Sequence, residues 1–187
     1  MLRHGILGLL SYGDMTGYEL MEVFRNSLNY FWTVQTSQLY RELQTLKELG
    51  WVSDTPVEQS GKPDKKIFSV TDEGRAELER WLSGPFEDRS RRIPLLMRVF
   101  FSGELPAESN IGFFRALSEQ SGAFARAMDT PAESAGLYAG AIPDAEYKKL
   151  YWDMTIDFGR MYAEMLREWS EKCIEKLEGY KNEAAAD

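Results

Sequence analysis

The chain has 187 residues, 43% of them hydrophobic and 13% aromatic, which is enough apolar surface for one large or two small cores and too much for a disordered segment. Its net charge of −8 excludes indiscriminate attachment to nucleic acid, which is driven by counterion release and needs a basic surplus. A single cysteine, Cys173, rules out an internal disulfide. With no apolar run of membrane-spanning length and no cleavable leader around Gly5 to Leu10, the expected compartment is the reducing cytoplasm.

In residues 2–12, LRHGILGLLSY, Ile6, Leu9 and Leu10 form an apolar helical stripe, while Gly5 and Gly8 weaken the helix so that packing must hold it. His4 has no second histidine, cysteine or carboxylate at metal-ligand spacing and is expected at the surface or a groove edge. Thr16 and Glu19 make a T-x-x-E capping box for a second helix ending near Asn26, with Leu20, Val23 and Phe24 turned inward. Phe31 and Trp32 follow in an aromatic connection. They are expected to pack in a small domain short of core, the other reading being that they face a ligand.

Thr36 is a good N-cap type, Leu39, Leu43, Leu46 and Leu49 recur at helical spacing, and Gly50 can take the left-handed conformation that ends a helix of about thirteen residues. Away from the leucines lie Ser37, Arg41, Gln44, Thr45 and Glu48. Arginine and glutamine have the fork geometry that fits guanine and adenine edges, so this is read as a recognition helix for the major groove. Trp51 to Thr55 and Ile67 to Val70 have strand character. The polar segment joining them holds Pro56, Gly61, Pro63, Lys62, Lys65 and Lys66, which makes a basic-tipped hairpin. Helix, helix, recognition helix and hairpin, in that order, are a winged helix-turn-helix. The expected contacts are Tyr40, Arg41 and Gln44 at or beside bases, and Ser37 and Gln38 at phosphates. Lys62, Lys65 and Lys66 are expected on the backbone or in the minor groove. Within residues 36–70 five basic side chains balance five acidic ones, so site-specific binding with weak non-specific affinity is expected.

Thr71 caps a further helix with Asp72 and Glu73 in its first turn and Leu78, Trp81 and Leu82 on its apolar side; Gly84-Pro85 stops it. The domain boundary is placed there, giving a DNA-binding domain at residues 1–85 and a helical domain at residues 86–187. The second half carries no strand signal. Helices are expected over Leu95 to Phe101, Pro106 to Met128 and, after a loop rich in alanine and glycine, Pro143 to about Tyr180, with a polar tail fraying from Lys181. The last helix is apolar on two sides. Tyr147, Tyr151, Met154, Phe158, Met161 and Met165 follow alternating steps of four and three, and Trp152, Ile156, Gly159, Ala163 and Leu166 make a second stripe. Such a helix needs two partners, its own domain and a second copy; the other reading buries it within one monomer. Any planar hydrophobic effector is expected near Trp152, Met154 and Phe158, although the same side chains suit a helix core. Cys173, beside Lys172 and Lys176, is expected to be an inert helix thiol rather than a redox sensor.

Three segments carry a resemblance: ILGLLSYGDMTGYEL at Ile6 to Leu20, FWTVQTSQLYRELQTLKELGWV at Phe31 to Val52, and GKPDKKIFSVTDEGRAELERWL at Gly61 to Leu82. They resemble the PadR family of winged-helix transcriptional regulators, in the branch with an AphA-like helical C-terminal dimerisation domain. The C-terminal half is similar in layout only. Phe68 stands where relatives often have tyrosine, which loses a wing hydroxyl and keeps the packing. The resemblance implies a mainly α fold with a small β wing, and a homodimer on an inverted-repeat operator in double-stranded DNA, often as a repressor. It supplies no effector. The alternative is a winged-helix protein-interaction module that does not bind DNA. No Gly-rich phosphate loop, nucleophile elbow or metal cluster is present in the sequence, so neither an enzyme nor a cofactor is expected.

Overall fold

The computed structural model describes residues 1–57, 65–85, 93–128, 142 and 144–186, with side chains as far as residue 183. These fall into two compact units, residues 1–85 with 142–149, and residues 93–128 with 150–186.

The first unit is built on α1 (Leu2–Leu10), which buries Ile6, Leu7, Leu9 and Leu10. After a two-residue strand β1 (Met15–Thr16) comes α2 (Gly17–Ser27). Its capping box is formed as expected: the Glu19 N–H donates to the Thr16 hydroxyl at 3.2 Å, and the Thr16 N–H donates to the Glu19 carboxylate at 2.8 Å. Leu20, Met21 and Phe24 are buried and Val23 packs against them.

The next helix, α3 (Thr36–Glu48), has 13 residues and buries Leu39, Leu43 and Leu46. Gly50 beyond it has a φ of 74°, the left-handed conformation expected of it. The cap is shifted: Gln35, not Thr36, is the N-cap, and its backbone N–H donates to the Gln38 side-chain oxygen at 3.0 Å. The chain enters the helix one residue early because Gln38 reaches back to satisfy that donor. The Thr36 hydroxyl accepts instead from Arg25 at 3.4 Å. Phe31 and Trp32, expected to pack, are 53% and 40% exposed, since α1, α2 and α3 fill the core without them.

Strands β2 (Val52–Val57) and β3 (Lys65–Val70) pair antiparallel from Val52 opposite Val70 to Val57 opposite Lys65, extending beyond the expected strands to take in Pro56, Val57, Lys65 and Lys66. Pro56 is tolerated because β2 is an edge. The sheet order is β1-β3-β2, with Met15 opposite Phe68 and Thr16 opposite Ile67. A two-residue strand has no periodicity to read, so β1 was not foreseen.

Thr71 then caps α4 (Asp72–Ser83), accepting from the Gly74 N–H at 3.1 Å and donating to the Gly50 carbonyl at 2.7 Å. Leu78 packs on the core, whereas Leu82 is exposed. Trp81 covers His4, their rings stacked at 4.6 Å, and His4 Nε2 lies 3.2 Å from the Glu77 carboxylate. His4 is therefore largely buried rather than at the surface, because α1 and α4 pack on each other and enclose it.

The second unit holds α5 (Pro94–Phe100), a 3-10 turn (Ser102–Glu104), α6 (Ala107–Ala127) and most of α7 (Ala145–Ala186). Asn110 is buried and donates to the carbonyls of Ser102 and Leu105 at 2.7 and 3.4 Å, which fastens the turn to α6. Ile111 and Phe114 are buried from α6, and Ile156, Ala163 and Ser170 from α7; the Phe114 and Trp169 rings meet edge to face at 5.5 Å. Helix α7 does not fray at Lys181. It continues to Ala186, and Lys181 makes an ion pair with Glu108 that, with Arg115 to Glu178 at 3.2 Å, ties its far end to α6. The expected loop before α7, apart from Ile142, and Pro143 lie outside the described residues.

Candidate nucleic-acid interface

Because Leu39, Leu43 and Leu46 seal one side of α3 into the core, Ser37, Gln38, Tyr40, Arg41 and Gln44 are all exposed on the other. Their freedom differs. The Gln38 oxygen is held by the Gln35 backbone, and the Gln44 amide donates to Glu48 at 3.0 Å. The Arg41 guanidinium has no partner among the described residues. The Tyr40 ring lies so close to Gly17 that a Cβ there would come within 2.6 Å of it, so Tyr40 also joins α3 to the start of α2.

A groove of about 460 Å³ runs between the start of α2, the outward side of α3 and the stems of β2 and β3. Lys65 and Lys66 line it from the hairpin, and Lys47, which sequence reasoning passed over, lines it from α3. Asp54 lines it as well. Its carboxylate accepts from Lys47 at 2.6 Å and from Lys66 at 3.1 Å, and those two hydrogen bonds, Lys47 first, hold it below the usual carboxylate range. Glu19 is also held low, by the Thr16 N–H and hydroxyl and then by the charge of Lys65. Lys62 lies outside the described residues. A signal for Lys47 was present, since it falls one turn beyond Gln44 on the same helix; Asp54 gave none, because its pairs are made only in the fold.

On α7, Met154 and Phe158 sit one turn apart and are exposed, while Trp152, two residues before Met154, is half-buried on another side of the helix. The three do not share one face. Burial pushes the Cys173 thiol up, against a smaller pull from Lys176, which agrees with a thiol of low reactivity. Among the described residues no cluster could hold a metal ion, and no helix is long and apolar enough to cross a membrane.

Helices α1 to α3, the polar outer side of α3 and the three-stranded sheet with its hairpin define a winged-helix protein with a helical second half. Residues 6–80 match the Transcriptional regulator PadR-like family, and residues 91–178 match the Virulence activator alpha C-term family. Over 84 residues it is 45% identical to a probable transcriptional regulator of Mycobacterium tuberculosis, covering 45% of this chain and 44% of that protein. Over 82 residues it is 38% identical to the negative transcriptional regulator PadR of Bacillus subtilis, covering 44% and 45%. The matched segment thus spans less than half the length of either relative. Bacillus subtilis PadR in complex with operator DNA has the same fold, with a TM-score of 0.76 at 23% identity over 94% of this chain and 98% of that one. The same protein in complex with p-coumaric acid gives 0.71 at 22% over 95% and 98%. The Vibrio cholerae virulence activator AphA gives 0.73 at 23% over 96% and 99%.

Proposed function

We propose that the chain is a cytoplasmic, homodimeric repressor that binds an inverted-repeat operator in double-stranded DNA. The observation that carries this reading is the outward side of α3, where Tyr40 and Gln44 line one groove with Lys65 and Lys66 of the hairpin and Arg41 is exposed on the same helix. Arg41 and Gln44 enter the major groove, Ser37 and Gln38 meet phosphates at the start of α3, and Lys62, Lys65 and Lys66 meet the backbone from the wing. Residues 1–85 form the DNA-binding domain and residues 86–187 the dimerisation domain. The stripe from Tyr147 to Met165 forms the dimer seam, in support of which Tyr147, Tyr151, Met154, Phe158, Met161 and Met165 are exposed while Ile156 and Ala163 on the other stripe are buried. The complex of Bacillus subtilis PadR with p-coumaric acid supports release by a small aromatic or hydrophobic effector, with Met154, Phe158 and Trp152 as the residues to examine.

Protection mapping on the DNA upstream of the chain's own gene tests the reading, a symmetric footprint of two half-sites being the expected result. The acidic net charge favours one other reading, a protein-interaction module. A labelled upstream duplex that shows no salt-dependent shift would select it.

A further inference from the structure

Asp54 stands in the proposed DNA face with a charge of the wrong sign for it. It lies on β2 opposite Phe68, and its two carboxylate oxygens are divided between two elements: Oδ1 accepts from Lys47 in the last turn of α3, and Oδ2 accepts from Lys66 on β3. The Asp54 side chain is only 16% exposed, and Lys66 remains 59% exposed. A phosphate can therefore reach Lys66 while the carboxylate behind it stays in place. The groove lining carries three lysines, Lys47, Lys65 and Lys66, against two carboxylates, Glu19 and Asp54. Its formal charge is thus one positive instead of three.

Affinity for any DNA sequence grows with each cation that gives up a bulk counterion to a phosphate. A lysine whose counterion is a fixed carboxylate has less to release, and the phosphate it meets also feels that carboxylate. We infer that Asp54 is the built-in counterion of the DNA face: by occupying Lys47 and Lys66 it keeps the sequence-independent part of the affinity low, so that tight binding depends on the base-reading side chains of α3. This rests on the reading of the chain as an operator-binding protein. The two lysines reach Asp54 from α3 and from the wing, so one carboxylate sets the charge that both present.

The test compares full-length wild type, Asp54→Asn and the double variant Asp54→Asn with Lys66→Met. Each is titrated with a random-sequence duplex and with the footprinted upstream duplex over a range of salt, after thermal melts have shown that all three fold. Asp54→Asn should bind both duplexes about tenfold more tightly at low salt, with a slope of log K against log salt steeper by about one to two per half-site and base preference unchanged. The double variant should give back about one unit of slope. If Asp54→Asn leaves the slope unchanged or weakens binding while wild type still footprints its operator, this inference fails and the repressor reading stands. If no variant, wild type included, binds either duplex at any salt, the repressor reading fails and takes this inference with it.

Discussion

Arg41 leaves α3 between the turns that carry buried Leu39 and Leu43, so its side chain can be removed without touching the core. Arg41→Ala should therefore fold as wild type. It should cost roughly 1–3 kcal/mol of operator affinity and relax preference at one base position per half-site. Competition among operators substituted at single base pairs checks this, and equal weakening on every sequence would mean that Arg41 meets phosphate instead. Asp54 gives a second prediction, on stability. Its carboxyl is held lower in the folded chain than in the unfolded one, so the stabilisation is present above the unfolded value and is lost as pH falls through the folded one. Denaturant midpoints measured from neutral pH down through the carboxylate range should fall further for wild type than for Asp54→Asn. Residues of this kind divide by how local their roles are. The outward direction of Arg41 followed from its spacing to the leucines, and the Thr16 box from four consecutive residues. The enclosure of His4 by Trp81 and Glu77 depends on side chains more than seventy residues apart in sequence, and no sequence window contains it.

Among the elements, α3 and the chain that leaves it were the most legible. Four leucines at helical spacing and a glycine after them located both the helix and its left-handed exit at Gly50. The use made of that exit was not legible. The strand that begins beyond Gly50 runs against the start of α4, with the Thr71 N–H donating to the Trp51 carbonyl at 3.1 Å, and Gly74 facing that carbonyl so closely that a Cβ would lie 2.1 Å from it. Two substitutions separate these demands. Gly50→Ala meets open space and only the left-handed backbone, which should cost about 1–2 kcal/mol. Gly74→Ala drives a methyl into backbone and should cost more, about 3 kcal/mol. Urea melts of the two variants rank them, and a smaller loss at Gly74 would mean that α4 can slide away from Trp51. Tyr40 against Gly17 is a gentler case, because the colliding atoms are at the far end of a ring that can turn aside.

Across the whole molecule, the two stripes of α7 were visible as periodicity, and the structure separates them into a buried one and an exposed one. Which stripe would be inside could not be read from the sequence, since both are apolar. Trp152, Met154 and Phe158 are alike in chemical type but not in direction, because Trp152 lies on a different face of α7 from the other two. If the exposed stripe is the dimer seam, Phe158→Glu together with Met161→Glu should give a folded monomer by sedimentation and a large loss of operator affinity. Truncation after Asp144 should give a monomer or an insoluble chain; a truncate that remained dimeric would place the interface elsewhere. The three-stranded sheet bears on the dynamics of the first unit. Ile67 and Phe68 on β3 have neighbours on both sides, β1 and β2, while Lys65 and Lys66 lie beyond the reach of β1 and have β2 alone. Amide hydrogen exchange should accordingly change within a single strand, slow at Ile67 and Phe68, where exchange waits for the winged unit to open as a block, and fast at the two lysines, where local fraying suffices. The boundary between Lys66 and Ile67 is then the point along β3 at which protection by the winged unit as a whole gives way to protection by one neighbouring strand.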